Sequence, residues 1–220
     1  VGANREDSET QIGAATGLVL RADITEPSNW RAVEHFNSWL KSFNLVGIAG
    51  IDTRKLTRRI RDHGAPNGAL CHAPDGKLDI AALGDAARAW PGLEDMDLAQ
   101  QVTCRHTYTW DETGWLWGRG HGVLERPRFR VVAINYGAKR NIVRMLASAG
   151  CAVTVVPADA SAADVLRHEP DGIFLSNGPG DPAATGEYAV PVLKELMASG
   201  KPIFGICLGH QLLALALGGK

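Results

Sequence analysis

Residues 129–157, FRVVAINYGAKRNIVRMLASAGCAVTVVP, decide the fold. Phe129 to Ile134 is an apolar, β-branched run of strand length. Asn141 to Ala149 sets Ile142, Met145, Leu146 and Ala149 on one helical face, and Gly150 closes that helix. Ala152 to Val156 is a second strand, stopped by Pro157. Ser161 then caps a short helix, with Asp164 three residues on in the pattern of a capping box. A third strand is expected over Gly172 to Leu175 and a third helix over Glu187 to Ala198, ended by Gly200; a fourth strand, Ile203 to Ile206, feeds a final helix. Strands that are apolar throughout, alternating with amphipathic helices, belong to a parallel sheet covered on both faces. The expected class is therefore α/β, with a doubly wound parallel sheet over 129–220.

Upstream the pattern is less regular. GRGHGVLERPR, residues 118–128, mixes glycines, a proline and charges without period, and predicts a linker at 119–128. Residues 1–118 then read as a smaller α/β domain. Leu18 to Leu20 and Val46 to Ile51 predict strands. Trp30, Val33, Phe36, Trp39, Leu40 and Phe43 suggest the broad apolar face of one helix. A second helix, near Arg54 to His63, turns Leu56 and Ile60 inward and leaves Arg54, Lys55, Arg58, Arg59 and Arg61 elsewhere, most simply as a solvated face. Trp110, Trp115 and Trp117 are expected in a hairpin around DETG, residues 111–114, as packing rather than as a ligand platform.

Bulk composition excludes several classes. With Lys+Arg 23 against Asp+Glu 24 the net charge is -1, which lacks the basic surplus a nucleic-acid binder needs. The longest apolar stretch, around Leu212 to Leu217, is too short to span a bilayer, so no membrane role is expected. Cys71, Cys104, Cys151 and Cys207 lie far apart with no C-x-x-C, which predicts free thiols in a reducing, cytoplasmic setting. The start at Val1 and the Gly218-Gly219 pair before Lys220 suggest that both ends are cut from a longer chain.

The chemistry concentrates at IFGICLGHQ, residues 203–211. Strand, then Gly205-Ile206-Cys207-Leu208-Gly209, then helix is the cysteine form of the nucleophile elbow G-x-[SC]-x-G. Both glycines are expected because a tight turn leaves no room for side chains. Such a turn lifts the sulfur out of the sheet to a helix start, where free N–H groups favour thiolate over thiol. The N–H of Leu208 is then one oxyanion donor. The glycines of SNGPGDP, Ser176 to Pro182, bring a second bare backbone to the same sheet edge. Alternatives stand beside these readings: a lone cysteine after a strand is usually a small buried hydrophobe, and Gly-Pro-Gly alone is usually a turn. His210 as half of a metal pair lacks further ligands, so no metal is expected. As a base it would be directed into the domain, and a structural or substrate-adjacent role is favoured.

With these motifs in hand, the C-terminal part resembles the class I (triad) glutamine amidotransferases. GICLGHQ, DGIFLSNGPGDP, GAKRNI (137–142) and, upstream, IDTRKLTR (51–58) are together similar to the small (glutaminase) subunit family of carbamoyl-phosphate synthetases, over the whole chain. The resemblance implies that Cys207 is the nucleophile, that Leu208 and Gly178 donate N–H groups to the oxyanion, and that Gly178, Gly180, Leu208 and Gln211 bind glutamine. It implies a large partner subunit that uses ATP and Mg, no cofactor in this chain, and L-glutamine as substrate. The family's base, a histidine oriented by a glutamate, lies downstream of the elbow, and this sequence stops before it. Asn135 stands where the family has Asp in DYGAKRNI, a departure expected to touch only a local loop contact. Two other functions remain open on the residues: a silent module that binds glutamine or the large subunit, and an unrelated elbow-cysteine hydrolase.

Overall fold

The computed structural model describes residues 2–10 and 15–219, in two compact units, residues 1–92 and 93–220. The division falls at Gly92, ahead of the linker expected at 119–128. Residues 93–118 group with the second unit because the segment around Trp110 adds a strand to its sheet and the chain before it packs on its loops.

The first unit holds β1 (Gly2–Ala3), β2 (Gly17–Val19), β3 (Glu34–His35), α1 (Phe36–Ser42), β4 (Val46–Ile48), α2 (Thr53–His63) and α3 (Ile80–Ala89). β1 pairs antiparallel with β3, and β2 pairs parallel with β4. The broad helix expected from Trp30 shrinks to α1: Trp30 is 69% exposed and Val33 71%, and Leu40 is the one buried residue of that helix. α2 starts where Asp52 caps the Lys55 N–H at 3.0 Å. It buries no residue, and Ile60 is exposed rather than directed inward.

The second unit holds α4 (Ala99–Val102), β5 (Tyr108–Trp110), β6 (Glu112–Leu116), β7 (Gly120–Val123), β8 (Phe129–Asn135), α5 (Arg140–Ser148), β9 (Cys151–Pro157), α6 (Ala162–Leu166), β10 (Gly172–Leu175), α7 (Pro182–Ala198), β11 (Ile203–Gly205) and α8 (Leu208–Ala216). Its five-stranded sheet runs β11-β10-β8-β9-β5, the first four parallel and β5 antiparallel at the edge. The expected α/β class holds. Alternate residues of the continuous apolar strands go to opposite faces. Val132, Ile134, Ile173 and Leu175 pack with α6, α7 and α8, while Ala133, Val153, Val155 and Phe174 pack with α5. This two-sided burial explains the absence of polar alternation in β8 and β10.

Several local expectations shift. α5 buries Val143, Arg144 and Ala147, and Met145 is exposed, so its buried face is turned by about one residue from the expected one. Arg144 can be buried because it pairs with Glu112 at 2.7 Å and lies over the Trp110 ring. α7 begins at Pro182, five residues before the expected Glu187, with Asp181 accepting from the Ala183 N–H at 2.8 Å. Pro at the first helical position is a start signal that overrides the weak helix formers after it. The hairpin is β6–β7, turning at 117–119, not around 111–114, and β7 lies within the expected linker. Trp117 at its tip is 76% exposed and lies edge-on to the Trp115 ring, 6.1 Å between centroids. The capping box of α6, Ser161 with Asp164, is present as read.

Candidate active site

The elbow forms where β11 ends. Cys207 has φ 52° and ψ -113°, is exposed, and stands as the residue before α8. Side chains rarely adopt this backbone conformation, so the surrounding structure must hold it. The flanking glycines are required by contact. A Cβ on Gly205 would lie 2.6 Å from the backbone of Gly209, and one on Gly209 would lie 2.6 Å from the Cβ of Leu175. The other three cysteines are also free, but burial pushes the thiols of Cys104 and Cys151 up, and for Cys104 the hydrogen bond from Asn135 opposes this only in part.

β10 and β11 run parallel with Leu175 opposite Gly205, so the loop after β10 leaves the sheet beside the elbow. The Ile206 N–H donates to the Leu175 carbonyl at 3.0 Å and the Gly209 N–H to the Ser176 carbonyl at 3.1 Å. A Cβ on Gly178 would overlap the Tyr136 carbonyl and lie 2.8 Å from Leu208 Cδ2. Gly178 is therefore pressed against the first residue of α8. Among the described residues no acceptor takes the N–H of Leu208 or of Gly178. Leu208 itself is buried, and the side chain of Gln211 is exposed one turn up α8. Gly180, with φ 99°, meets the chain before α4: a Cβ there would lie 2.7 Å from the Met96 carbonyl oxygen.

The loop is tied down by groups the sequence reading left unassigned. Ser176 Oγ accepts the Tyr136 N–H at 2.8 Å and donates to the Asn177 carbonyl at 2.7 Å. The Asn177 side chain accepts the Lys139 N–H and donates to the Gly137 carbonyl. Asn135 Oδ1 accepts the N–H groups of Gly137 and Ala138 at 2.9 and 2.7 Å, which an aspartate oxygen would do equally, so the departure from Asp leaves this turn intact. Asp181 accepts the Asp95 N–H at 3.0 Å, and the Asp181 N–H donates to the Met96 carbonyl. The Ala183 N–H, then the Asp95 N–H, hold the Asp181 carboxyl below its ordinary range. Thr103 donates to the Asn135 carbonyl and accepts the Ala158 N–H, joining the ends of β8 and β9. Ser176 and Asn177 were visible inside SNGPGDP; a polar pair preceding a glycine loop is the signal that could have found them.

His210 is corrected. The buried residues of α8 are Leu208, Gly209, Leu212 and Ala216, so two positions past Leu208 the side chain falls on the opposite face, and His210 is exposed rather than directed into the domain. No hydrogen bond from a histidine to Cys207 occurs among the described residues. Among those residues no group of three or more His, Cys, Asp or Glu side chains could hold a metal ion, and no helix is long and apolar enough to cross a membrane.

Comparison with known proteins now bears on this geometry. Residues 1–70 match the family model of the carbamoyl-phosphate synthase small chain, CPSase domain, and residues 132–220 that of glutamine amidotransferase class-I. A carbamoyl phosphate synthase small chain of Ruegeria pomeroyi is 59% identical over 221 residues, covering 100% of this chain. The chain carries a match to the small-chain CPSase domain and a match to the class-I glutamine amidotransferase domain. Proteins of the same description from Bradyrhizobium diazoefficiens and Caulobacter vibrioides are 57% and 55% identical, again over 100% of the chain. The chain spans 57% of the length of the Ruegeria and Bradyrhizobium relatives and 58% of the Caulobacter one. The amidotransferase match contains the elbow and the whole of SNGPGDP, and the small-chain match contains IDTRKLTR, the two places that carried the resemblance.

Proposed function

We propose that Cys207 is the nucleophile of a glutaminase. The observation that carries this reading is an exposed sulfur on a constrained elbow, beside two backbone N–H groups with no acceptor among the described residues. The thiolate attacks the side-chain amide carbon of glutamine, and the carbonyl electrons move to oxygen. The N–H groups of Leu208 and Gly178 hold that oxyanion. Because the donors are fixed before charge develops, each is worth about 10²–10³ in rate. Collapse expels the nitrogen as ammonia and leaves a thioester, which water hydrolyses to glutamate and free thiol. Gly180 and Gln211 hold the substrate, Gln211 through its side-chain amide. The proton leaving Cys207 goes to the family's histidine, oriented by a glutamate, and from there to the departing nitrogen; neither group is assigned to a residue of this chain.

The ammonia passes to a large partner subunit that makes carbamoyl phosphate from bicarbonate and ATP, with ATP and Mg on that partner, for arginine and pyrimidine synthesis in the cytoplasm. The 59% identity to a carbamoyl phosphate synthase small chain and the amidotransferase match over 132–220 support this assignment. The test is Cys207→Ser in the full-length protein with its partner. Glutamine-fed synthesis should vanish while ammonia-fed synthesis persists. Retained glutamine turnover would remove Cys207 from the chemistry, and loss of both activities would make it structural. Glutamine that shields Cys207 from alkylation without ammonia release from the wild type would leave only a binding module.

A further inference from the structure

The oxyanion reading depends on which way one peptide points. The Asn177–Gly178 peptide is trans, so its C=O and N–H face opposite sides, and fixing the carbonyl fixes the N–H. A glycine on one side of a peptide lowers the steric resistance to turning that peptide over, because no Cβ opposes the new φ. Something else must therefore hold it. The Ser176 hydroxyl is 0% exposed and donates to the Asn177 carbonyl at 2.7 Å. That hydroxyl cannot swing away, because Oγ accepts the Tyr136 N–H at 2.8 Å and so its proton is turned toward the loop. Tyr136 is itself 1% exposed and anchored in the core, and its carbonyl lies against the face of Gly178 where a side chain would be.

We propose that Ser176 is a positioning residue whose hydroxyl locks the Asn177–Gly178 peptide, aiming the Gly178 N–H at the oxyanion beside Cys207. The chain of contacts is Tyr136 N–H to Ser176 Oγ to Asn177 carbonyl, and the same peptide carries the Gly178 N–H. The Asn177 side chain, accepting the Lys139 N–H and donating to the Gly137 carbonyl, anchors the residue whose carbonyl Ser176 holds. Ser176 touches neither substrate nor sulfur in this scheme; it acts through Gly178. The kinetic consequence rests on the glutaminase reading above, whereas the peptide orientation does not.

The experiment is Ser176→Ala, Ser176→Cys and Ser176→Thr in the full-length protein, with crystal structures and steady-state glutamine hydrolysis. Ser176→Ala removes the lock, and its structure should show the Asn177–Gly178 peptide turned over or in two orientations. Its kcat should fall at least about tenfold, bounded by the 10²–10³ expected for losing one oxyanion donor, with KM within about twofold. Ser176→Thr, which keeps the hydroxyl, should return kcat to within about threefold of wild type, and Ser176→Cys, a weaker donor, should fall between. A merely structural serine would move the melting temperature and leave the kcat-to-KM split unmoved. If Ser176→Ala keeps the peptide in its wild-type orientation, or keeps kcat, the proposal is overturned. Wild-type protein without Cys207-dependent turnover would remove the glutaminase reading, and the peptide orientation in Ser176→Ala, or in Ser176→Cys should the alanine variant not fold, would still decide the lock.

Discussion

At position 207 glycine should stabilise the protein relative to alanine, the reverse of their usual order. The backbone there sits at φ 52° and ψ -113°, a conformation that a Cβ opposes at a cost on the order of 1–3 kcal/mol. The Cys207 side chain is exposed, so its removal forfeits little packing. Cys207→Ala keeps the Cβ and therefore the strain. Cys207→Gly sheds the strain but loses about 0.5–1 kcal/mol to the greater freedom of the unfolded chain. The balance favours glycine by up to about 2.5 kcal/mol, and by about 1 kcal/mol at mid-range. At a urea slope of about 1–3 kcal/mol/M this is a midpoint shift of a few tenths of a molar or more. The measurement is equilibrium urea unfolding of both variants in the full-length protein, compared by midpoint where the slopes agree. Alanine equal to or more stable than glycine would refute the claim that the elbow stores strain. Both variants lack the sulfur, so neither should release ammonia from glutamine. The stability ordering is thus independent of the chemistry, and it tests whether the fold bears a cost to present this residue.

Two further outcomes follow from the same site. The Asp181 carboxyl is held below its ordinary 3.8 by the Ala183 and Asp95 N–H groups, so its contribution is present above the unfolded value and is lost as pH falls through the lowered native one. Asp181→Asn should therefore be less stable than wild type at neutral pH, with the difference beginning to shrink only as pH falls below about 3.8 and vanishing below the lowered native value; a difference that stays undiminished through the acid unfolding curves would sink this account. Gly205→Ala brings a Cβ to 2.6 Å from Gly209 backbone atoms, about 0.8 Å short of the 3.4 Å of ordinary contact. No flexible side-chain end can yield, so α8 must shift, and misplacement on the order of 1 Å costs about 10²-fold in rate. Glutamine hydrolysis within threefold of wild type would show that the turn tolerates the methyl.

The second unit was largely legible because its strands are buried on both sides. A run such as Val131 to Ile134 leaves few assignments open once helices flank it, and the Gly205 and Gly209 pair could be read as a steric demand before any contact was known. The failures have physical causes. His210 was misdirected although Leu208, Leu212 and Ala216 at four-residue intervals already marked the buried face of α8. The burial of Arg144 could not be read because its partner Glu112 comes from a hairpin 32 residues away. Trp30 and Val33 were read as helical because their spacing fits, yet the first unit offers α1 too small a core to extend it.

What periodicity could not carry at all is the frame around the glycine loop. Gly180 is held against Met96 and Leu98, and the bond from the Asp95 N–H to Asp181 spans 86 residues. These ties are made mainly by backbone groups and by one carboxylate, and backbone hydrogen bonds leave no residue pattern to read. A loop that must aim bare N–H groups at a reacting atom needs such external support, since its own glycines supply access but no rigidity. The sequence therefore displays the groups that would do the chemistry, Cys207 and the glycines, far more openly than the groups that would aim them. Ser176 belongs to the second kind, and its hydroxyl becomes interpretable only once the carbonyl it holds is known to share a peptide with Gly178.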